Sequence, residues 1–192
     1  MATRYASDRA TLVQAFQLEH GRKPSRNEAQ IIQSIAEHET NFGRGWGTDP
    51  EKGAGSNNVG AMQGQPGFQH IDHHADGTEY TTWFRSYPTL VDGCRHLIRW
   101  VTTWHPTVWR YIKVGNYAAT AREMRKAGYY EAPEKSYFAA MLKAGTQIAS
   151  ELQEPLASNT LGGLVISSLG IGAALLAAKW TWRYDDPRKK KR

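Results

Sequence analysis

The feature that most constrains this chain is one predicted helix that carries an acid on its apolar side. Ser25 can cap the helix, and Glu28 lies three residues later, where it can complete a capping box. Gly43 can end the helix in a left-handed conformation. The helical spacing of the apolar residues places Glu39 on the same inner face. Those apolar residues are Ala29, Ile32, Ile35, Ala36 and Phe42.

Glu39 is therefore predicted to be a proton donor. A carboxyl at the end of a buried stripe loses hydration in its charged form, so its pKa should rise towards neutrality, as a general acid requires. Two plainer explanations stay open, namely irregular amphipathicity and the capping of a neighbouring loop. Glu37 continues the polar row of Gln30, Ser34 and Asn41, and is predicted to be an ordinary solvated acid.

Charge and composition indicate a globular main domain without a nucleic-acid partner. The 192 residues carry a net charge of +6, but residues 183–192 hold six cations and two acids, which leaves +2 for the rest. Because the basicity belongs mostly to this tail, nucleic-acid binding by the main domain is not expected. Cys94 is the only cysteine and is predicted to be a small core residue, so no internal disulfide can form.

The periodicity predicts a mainly α domain, of the α+β class, with one small β-hairpin lobe. A long loop is expected over residues 44–68, followed by a hairpin over residues 69–87 with a two-residue turn at Asp76 and Gly77. Besides the helix that carries Glu39, the pattern predicts one helix over residues 7–20, one starting at Thr89, and others over 108–114, 117–126 and 133–151.

Residues 160–178 are predicted to form a single transmembrane helix. The nineteen residues carry no charge, and at 1.5 Å per residue they span about 28 Å, close to the thickness of a bilayer core. Aromatic residues follow, and then the basic tail, as at a cytoplasmic membrane interface. Small residues recur at a spacing of four, which favours self-association of the helix. We divide the chain into a main domain (1–155), a transmembrane helix (156–182) and a basic tail (183–192); a buried helix of a soluble protein is the alternative.

Four short motifs carry a resemblance to a known family. They are ETNFG at residues 39–43, SNNVGAMQ at 56–63, FRSY at 84–87, and GYYEAP at 128–133 with Tyr137 after it. In order and spacing they resemble the lysozyme-like peptidoglycan glucosaminidases, which include flagellar hydrolases, autolysins and phage cell-wall enzymes. The resemblance covers about residues 10–150. It implies a lysozyme-like helical domain that cleaves β-1,4 glycosidic bonds of peptidoglycan strands without a cofactor.

The resemblance implies catalytic roles for Glu39, Asp72 and Tyr129. Glu39 matches the acid that protonates the glycosidic oxygen, the same residue that helix periodicity selects. Asp72 lies on the first strand of the β lobe, where the family often has a second carboxylate, although the commoner residue there is Glu. Tyr129 matches a tyrosine that orients water or sugar, and packing in the core is its alternative role.

Three further residues are predicted to bind substrate. Asn58 and Gln63 carry amides that can hydrogen-bond to sugars, and loop-closing hydrogen bonds are the alternative for both. For Tyr137, substrate binding and packing in the core are both open as roles. No metal site is expected, because His70, Asp72 and His74 alternate along one strand, and three ligands on a single strand seldom converge on a tetrahedron.

The sequence leaves the reaction open between related chemistries. An endo-N-acetylglucosaminidase is the first expectation, while residues 60–63 also resemble lytic transglycosylases, and a muramidase is a further alternative on the same fold. A protein of another class would be a membrane-penetrating ejection or structural protein that keeps a wall-binding domain. Glu39 is present, which favours the enzyme.

The predicted topology indicates a route of delivery. The basic tail belongs on the cytoplasmic side of the membrane and the catalytic domain on the periplasmic or wall side, yet residues 1–10 lack the apolar region of a secretory signal peptide. Entry from outside satisfies both conditions, because a basic tail moves down the membrane potential. We therefore expect a phage virion component that acts during genome entry, with a lysis enzyme or a bacterial signal-anchor protein as alternatives.

Overall fold

The computed structural model describes residues 3–74 and 76–157. This part of the chain is mainly helical and has one small two-stranded antiparallel sheet, as predicted. The helices are α1 (Arg4–His20), α2 (Arg26–Thr40), α3 (Leu90–Arg99), α4 (Pro106–Lys113), α5 (Tyr117–Lys126) and α6 (Glu134–Glu151), with a π-helical turn at Trp100–Trp104 between α3 and α4; the strands are β1 (Gly67–His73) and β2 (Glu79–Arg85).

Both ends of α2 are fixed by local hydrogen bonds. The predicted capping box is present: the Ser25 N–H donates to Glu28 Oε2 at 2.7 Å, and the Glu28 N–H donates to Ser25 Oγ at 3.3 Å. The expectation that Gly43 ends the helix is wrong. The helix ends at Thr40, and Asn41 takes the left-handed conformation, with φ at 50°. The Phe42 N–H then donates to Ala36 O and the Asn41 N–H to Glu37 O, so carbonyls of the last turns of the helix find donors beyond its end.

α2 is the central helix and is buried on more than its apolar side. Gln30 and Ser34, predicted to be solvated, are fully buried, and Ser34 Oγ lies 3.1 Å from the Tyr117 hydroxyl. The prediction of a solvated Glu37 is also wrong, because its side chain is only 7% exposed and pairs with Arg4. Polar residues can face the interior here because neighbouring elements supply hydrogen-bond partners.

The segment after α6 returns to α2. Glu154 forms an ion pair with Arg9 on α1 at 3.1 Å, and Leu156 packs against the core. Ala157 is buried, and its N–H donates to Gln30 Oε1. The described chain therefore ends beside the first turns of α2.

The β lobe is a hairpin in which Phe68 pairs with Phe84, and Asp72 with Tyr80. Five residues, 74–78, connect the paired strands, so the connection is longer than the predicted two-residue turn. The longer connection contains an Asx-turn, in which Asp76 Oδ1 accepts the Thr78 N–H at 2.9 Å.

No helix within residues 3–74 and 76–157 combines the length and apolar character needed to cross a bilayer. The predicted transmembrane helix and its self-association concern residues 160–178, outside the described residues.

Candidate functional site

The C-terminal end of α2 meets the start of α6 at Glu39. The side chain of Glu39 is partly exposed, and its Oε1 accepts a hydrogen bond of 2.5 Å from the Tyr137 hydroxyl. Tyr137 is 5% exposed, and its ring stacks on Tyr130 with 3.7 Å between the ring centroids. His38 contacts the same ring edge-on at 4.8 Å. Tyr137 is thus held on both sides, and it fixes one oxygen of Glu39.

The surroundings of Glu39 raise the pKa of its carboxyl to about 7. The largest cause is loss of hydration by burial, and the negative charge of Asp72 adds to it. The hydrogen bond from Tyr137 acts in the opposite direction, because it stabilises the carboxylate. Burial predominates, so near neutral pH Glu39 is poised between the protonated and ionised forms.

Asp72 lies on β1, near enough to Glu39 to influence its titration. Its Oδ2 accepts hydrogen bonds from the Tyr80 hydroxyl at 3.0 Å and from Gln63 Nε2 at 3.2 Å. Its Oδ1 accepts the His73 N–H at 2.8 Å. Three donors therefore hold the carboxylate in one orientation, and Gln63 reaches the site through Asp72.

Tyr129 also lies near Glu39, since the charge of Glu39 contributes to raising the pKa of the Tyr129 hydroxyl, after the larger effect of burial. The hydroxyl donates to Gly60 O at 2.7 Å, and the ring packs on Trp100 at 4.5 Å between centroids. The raised pKa keeps the hydroxyl protonated at neutral pH, with its proton directed at Gly60 O.

Asn58 is not placed to bind substrate, which corrects the prediction for this residue. Its side chain is fully buried. Oδ1 accepts the Met62 N–H at 2.9 Å, and Nδ2 donates to Met62 O and Arg85 O, both at 3.0 Å. The loop-closing alternative describes Asn58, which ties residues 58–62 to the end of β2.

Two residues that the sequence did not select are part of the site. Tyr130 supports Tyr137 by stacking, and Tyr80 orients Asp72. Tyr130 lies within the GYYEAP motif at residues 128–133, so the motif itself could have indicated this residue. Tyr80 could be found only through the hairpin register, because it lies directly opposite Asp72.

No group of three or more His, Cys, Asp or Glu side chains within residues 3–74 and 76–157 is arranged to hold a metal ion. The two histidines of the strand pattern have other neighbours: His70 packs on Trp46 at 5.6 Å between ring centroids, and His74 stacks on Tyr80 at 4.3 Å. Surface depressions of about 270 and 300 Å³ lie elsewhere, beside Trp104 and beside Tyr87.

Chemically, the arrangement combines an acid whose pKa is about 7 with a second, oriented carboxylate. Because Tyr137 donates to Oε1 of Glu39, Oε2 is the oxygen left free to carry the proton. Most glycosidases cleave a glycosidic bond with two carboxyl groups that lie in different environments.

Comparison with known proteins identifies the fold. No family model matches the sequence, and no curated protein matches it significantly. The glycoside hydrolase domain of FlgJ from Salmonella typhimurium superposes with a TM-score of 0.50 and 17% identity, over 79% of this chain and 92% of that chain. A peptidoglycan hydrolase from Sphingomonas sp. A1 gives 0.53 and 17%, over 77% and 88%. The catalytic domain of the autolysin Auto from Listeria monocytogenes gives 0.50 and 13%, over 78% and 84%. At these identities the similarity shows a shared fold.

Proposed function

We propose that this protein is a peptidoglycan hydrolase that cleaves β-1,4 glycosidic bonds of the bacterial cell wall. The observation that carries the proposal is the Glu39 carboxyl at the end of α2, which is hydrogen-bonded to Tyr137 and whose pKa is raised by burial and by the charge of Asp72. The solved structures that share this fold are peptidoglycan and glycoside hydrolases, which supports the same substrate class.

In the proposed reaction, Glu39 gives the proton on Oε2 to the glycosidic oxygen as the bond between that oxygen and the anomeric carbon breaks. The carboxylate of Asp72 stabilises the positive charge that develops on the sugar ring. Water then adds to the anomeric carbon and loses a proton to a carboxylate of the site. Tyr129 orients water or sugar through its hydroxyl, and Tyr137 holds the acid in place.

The proposed specificity is that of an endo-N-acetylglucosaminidase, on the strength of the sequence motifs at residues 39–43, 56–63, 84–87 and 128–133. The charge of Asp72, which raises the pKa of Glu39, supports hydrolysis with two carboxylates. A lytic transglycosylase would use one acid and would not require Asp72.

The proposed location is a membrane, with residues 160–178 as the anchor and the catalytic domain on the wall side. A virion component of a phage, acting on the host envelope during genome entry, fits the basic tail and the uncharged segment that precedes it. Absence of the protein from purified virions would exclude this setting and leave the hydrolase intact.

The experiment that tests the function is mass spectrometry of purified peptidoglycan digested by the full chain in mild detergent, beside the Glu39→Gln variant. Products with reducing N-acetylglucosamine ends that disappear in the variant are expected. Reducing N-acetylmuramic acid ends would indicate a muramidase, and anhydromuramic ends a transglycosylase. Absence of products from the folded wild-type chain would contradict the enzyme and favour a wall-binding, membrane-penetrating protein.

A further inference from the structure

Four exposed cations gather at one end of α2, opposite the end that carries Glu39. Lys23 and Arg26 lie where α1 turns into α2, and Arg110 and Lys113 lie in the last turn of α4. The two groups are joined directly, because Asn27 Nδ2 donates to Lys113 O at 3.1 Å. We refer to Lys23, Arg26, Arg110 and Lys113 as the basic end.

The charge of the basic end is uncompensated. None of its four cations forms an ion pair with an acid in the described part of the chain, whereas the neighbouring Arg22 is bound to Glu28 at 2.8 Å. Residues 1–157 contain 17 basic and 16 acidic side chains, so the remainder carries a net charge of −3 once the basic end is set aside. The basic end is therefore a local group of unpaired cations on a domain whose other side chains sum to a negative charge.

The described chain also ends near the basic end. The N–H of Ala157 donates to Gln30 Oε1, and Gln30 lies one helical turn after Arg26. From Ala157 to Thr160, where the uncharged sequence of residues 160–178 begins, an extended chain reaches about 10 Å. A span that starts at Thr160 would hold this end of α2 close to the bilayer surface.

We propose that the basic end rests on the anionic phospholipid headgroups of the membrane, with Glu39 directed away from it. The inference rests on the proposed membrane anchor. Glu39 follows Arg26 by thirteen residues, so if α2 stands upright on the membrane the acid lies about 20 Å above the basic end. The orientation would present the site to the glycan strands that lie outside the membrane.

Anionic lipid fits this surface better than an anionic wall polymer, because the short connection to Thr160 keeps the basic end near the membrane. Each Lys or Arg near such a surface contributes about fivefold to the affinity for it, and the effect extends over roughly 8 Å at physiological salt. The hydrogen bond from Asn27 to Lys113 O joins the two pairs of cations, so they can act on one patch of headgroups.

The test places a fluorophore on the full chain, reconstituted in lipid nanodiscs with acceptor-labelled headgroups. Val114→Cys marks the basic end and Ile71→Cys marks the hairpin, since both positions are exposed, at 55% and 51%. Cys94 stays unlabelled because it is buried, and burial raises the pKa of its thiol. We expect more energy transfer from position 114 than from position 71, a larger difference when phosphatidylglycerol is present, and a smaller one when salt is added.

Charge reversal supplies the control. The double variant Lys23→Glu, Arg26→Glu should lower the energy transfer from position 114. The control double variant Lys135→Glu, Lys143→Glu lies on the exposed side of α6 and changes the net charge by the same amount. It should leave the energy transfer unchanged. Equal transfer from positions 114 and 71, or equal effects of the two double variants, would overturn the proposal.

Failure of the anchor and failure of the enzyme are distinguished separately. If the chain does not enter the discs, sedimentation with phosphatidylglycerol vesicles tests the proposal instead. Vesicle binding that is lost in the Lys23→Glu, Arg26→Glu double variant would support the lipid contact of the basic end. Absence of binding, or binding to teichoic acid alone, would overturn it. Digestion of isolated peptidoglycan in detergent should be the same for both double variants and the wild type, so loss of hydrolysis would concern the proposed function only.

Discussion

The Tyr137 hydroxyl donates a 2.5 Å hydrogen bond to Oε1 of Glu39, and joins two helices whose residues lie 98 positions apart in the chain. The bond stabilises the ionised form of an acid whose other surroundings favour the protonated form. The pKa of about 7 therefore results from opposed contributions, which can be altered separately by mutation.

Glu39→Gln removes the proton donor and should lower the rate of glycan cleavage by about 10²- to 10⁴-fold, the usual contribution of a general acid. Glu37→Gln is the matched control on the same helix, because Glu37 pairs with Arg4 and lies outside the site. The release of reducing ends from peptidoglycan measures both. Retained activity in a folded Glu39→Gln protein would exclude Glu39 as the acid.

Tyr137→Phe should raise the pKa of Glu39, because the variant lacks the donor that stabilises the carboxylate. The alkaline limb of the profile of kcat/KM against pH, which reports loss of the proton from Glu39, should move to higher pH. Tyr130→Phe is the control, since its hydroxyl donates to Ala121 O at 2.8 Å and not to the acid. A limb that stays in place in Tyr137→Phe would show that this bond does not tune Glu39.

Asp72→Asn should move the same limb to lower pH, because removing a neighbouring negative charge lowers the pKa of Glu39. For a hydrolase with two carboxylates the maximal rate should fall as well. Tyr80→Phe, which leaves Asp72 without one of its three donors, should have a smaller effect in the same assay. A full rate in Asp72→Asn, with anhydromuramic products, would favour a transglycosylase.

Asn58→Ala should destabilise the fold, because the buried Met62 N–H loses its acceptor and the carbonyls of Met62 and Arg85 each lose a donor. A loss of about 2 to 3 kcal/mol is expected, as for other buried unsatisfied polar groups. Gln63→Ala, at an exposed position, should leave the melting temperature nearly unchanged and lower activity through Asp72. Thermal unfolding and the reducing-end assay together separate the two residues.

Much of the fold follows from local patterns, and the site follows in part. Helical spacing was sufficient to place Glu39 on an inner face, and Ser25 with Glu28 marked the start of α2 correctly. The same spacing predicted the wrong exposure for Gln30 and Glu37, because an argument from periodicity assumes that polar residues face water. In this protein Arg4 and Ala157 supply partners from distant parts of the chain, so the polar side of α2 is buried too.

The last prediction concerns the stability of the fold against pH. Between about pH 4.5 and pH 7 the carboxyl of Glu39 keeps its proton in the folded state and loses it in the unfolded state, because the pKa is raised from 4.5 to about 7 on folding. The unfolded state then binds fewer protons, so the free energy of unfolding should fall as the pH rises through this range, by at most about 3 kcal/mol. Glu39→Gln has no such titration, and the difference between the two proteins in urea unfolding isolates it from all other groups. The variant should therefore gain stability relative to the wild type from pH 4.5 to pH 7 and hold that gain above pH 7; a difference independent of pH would mean that Glu39 titrates normally.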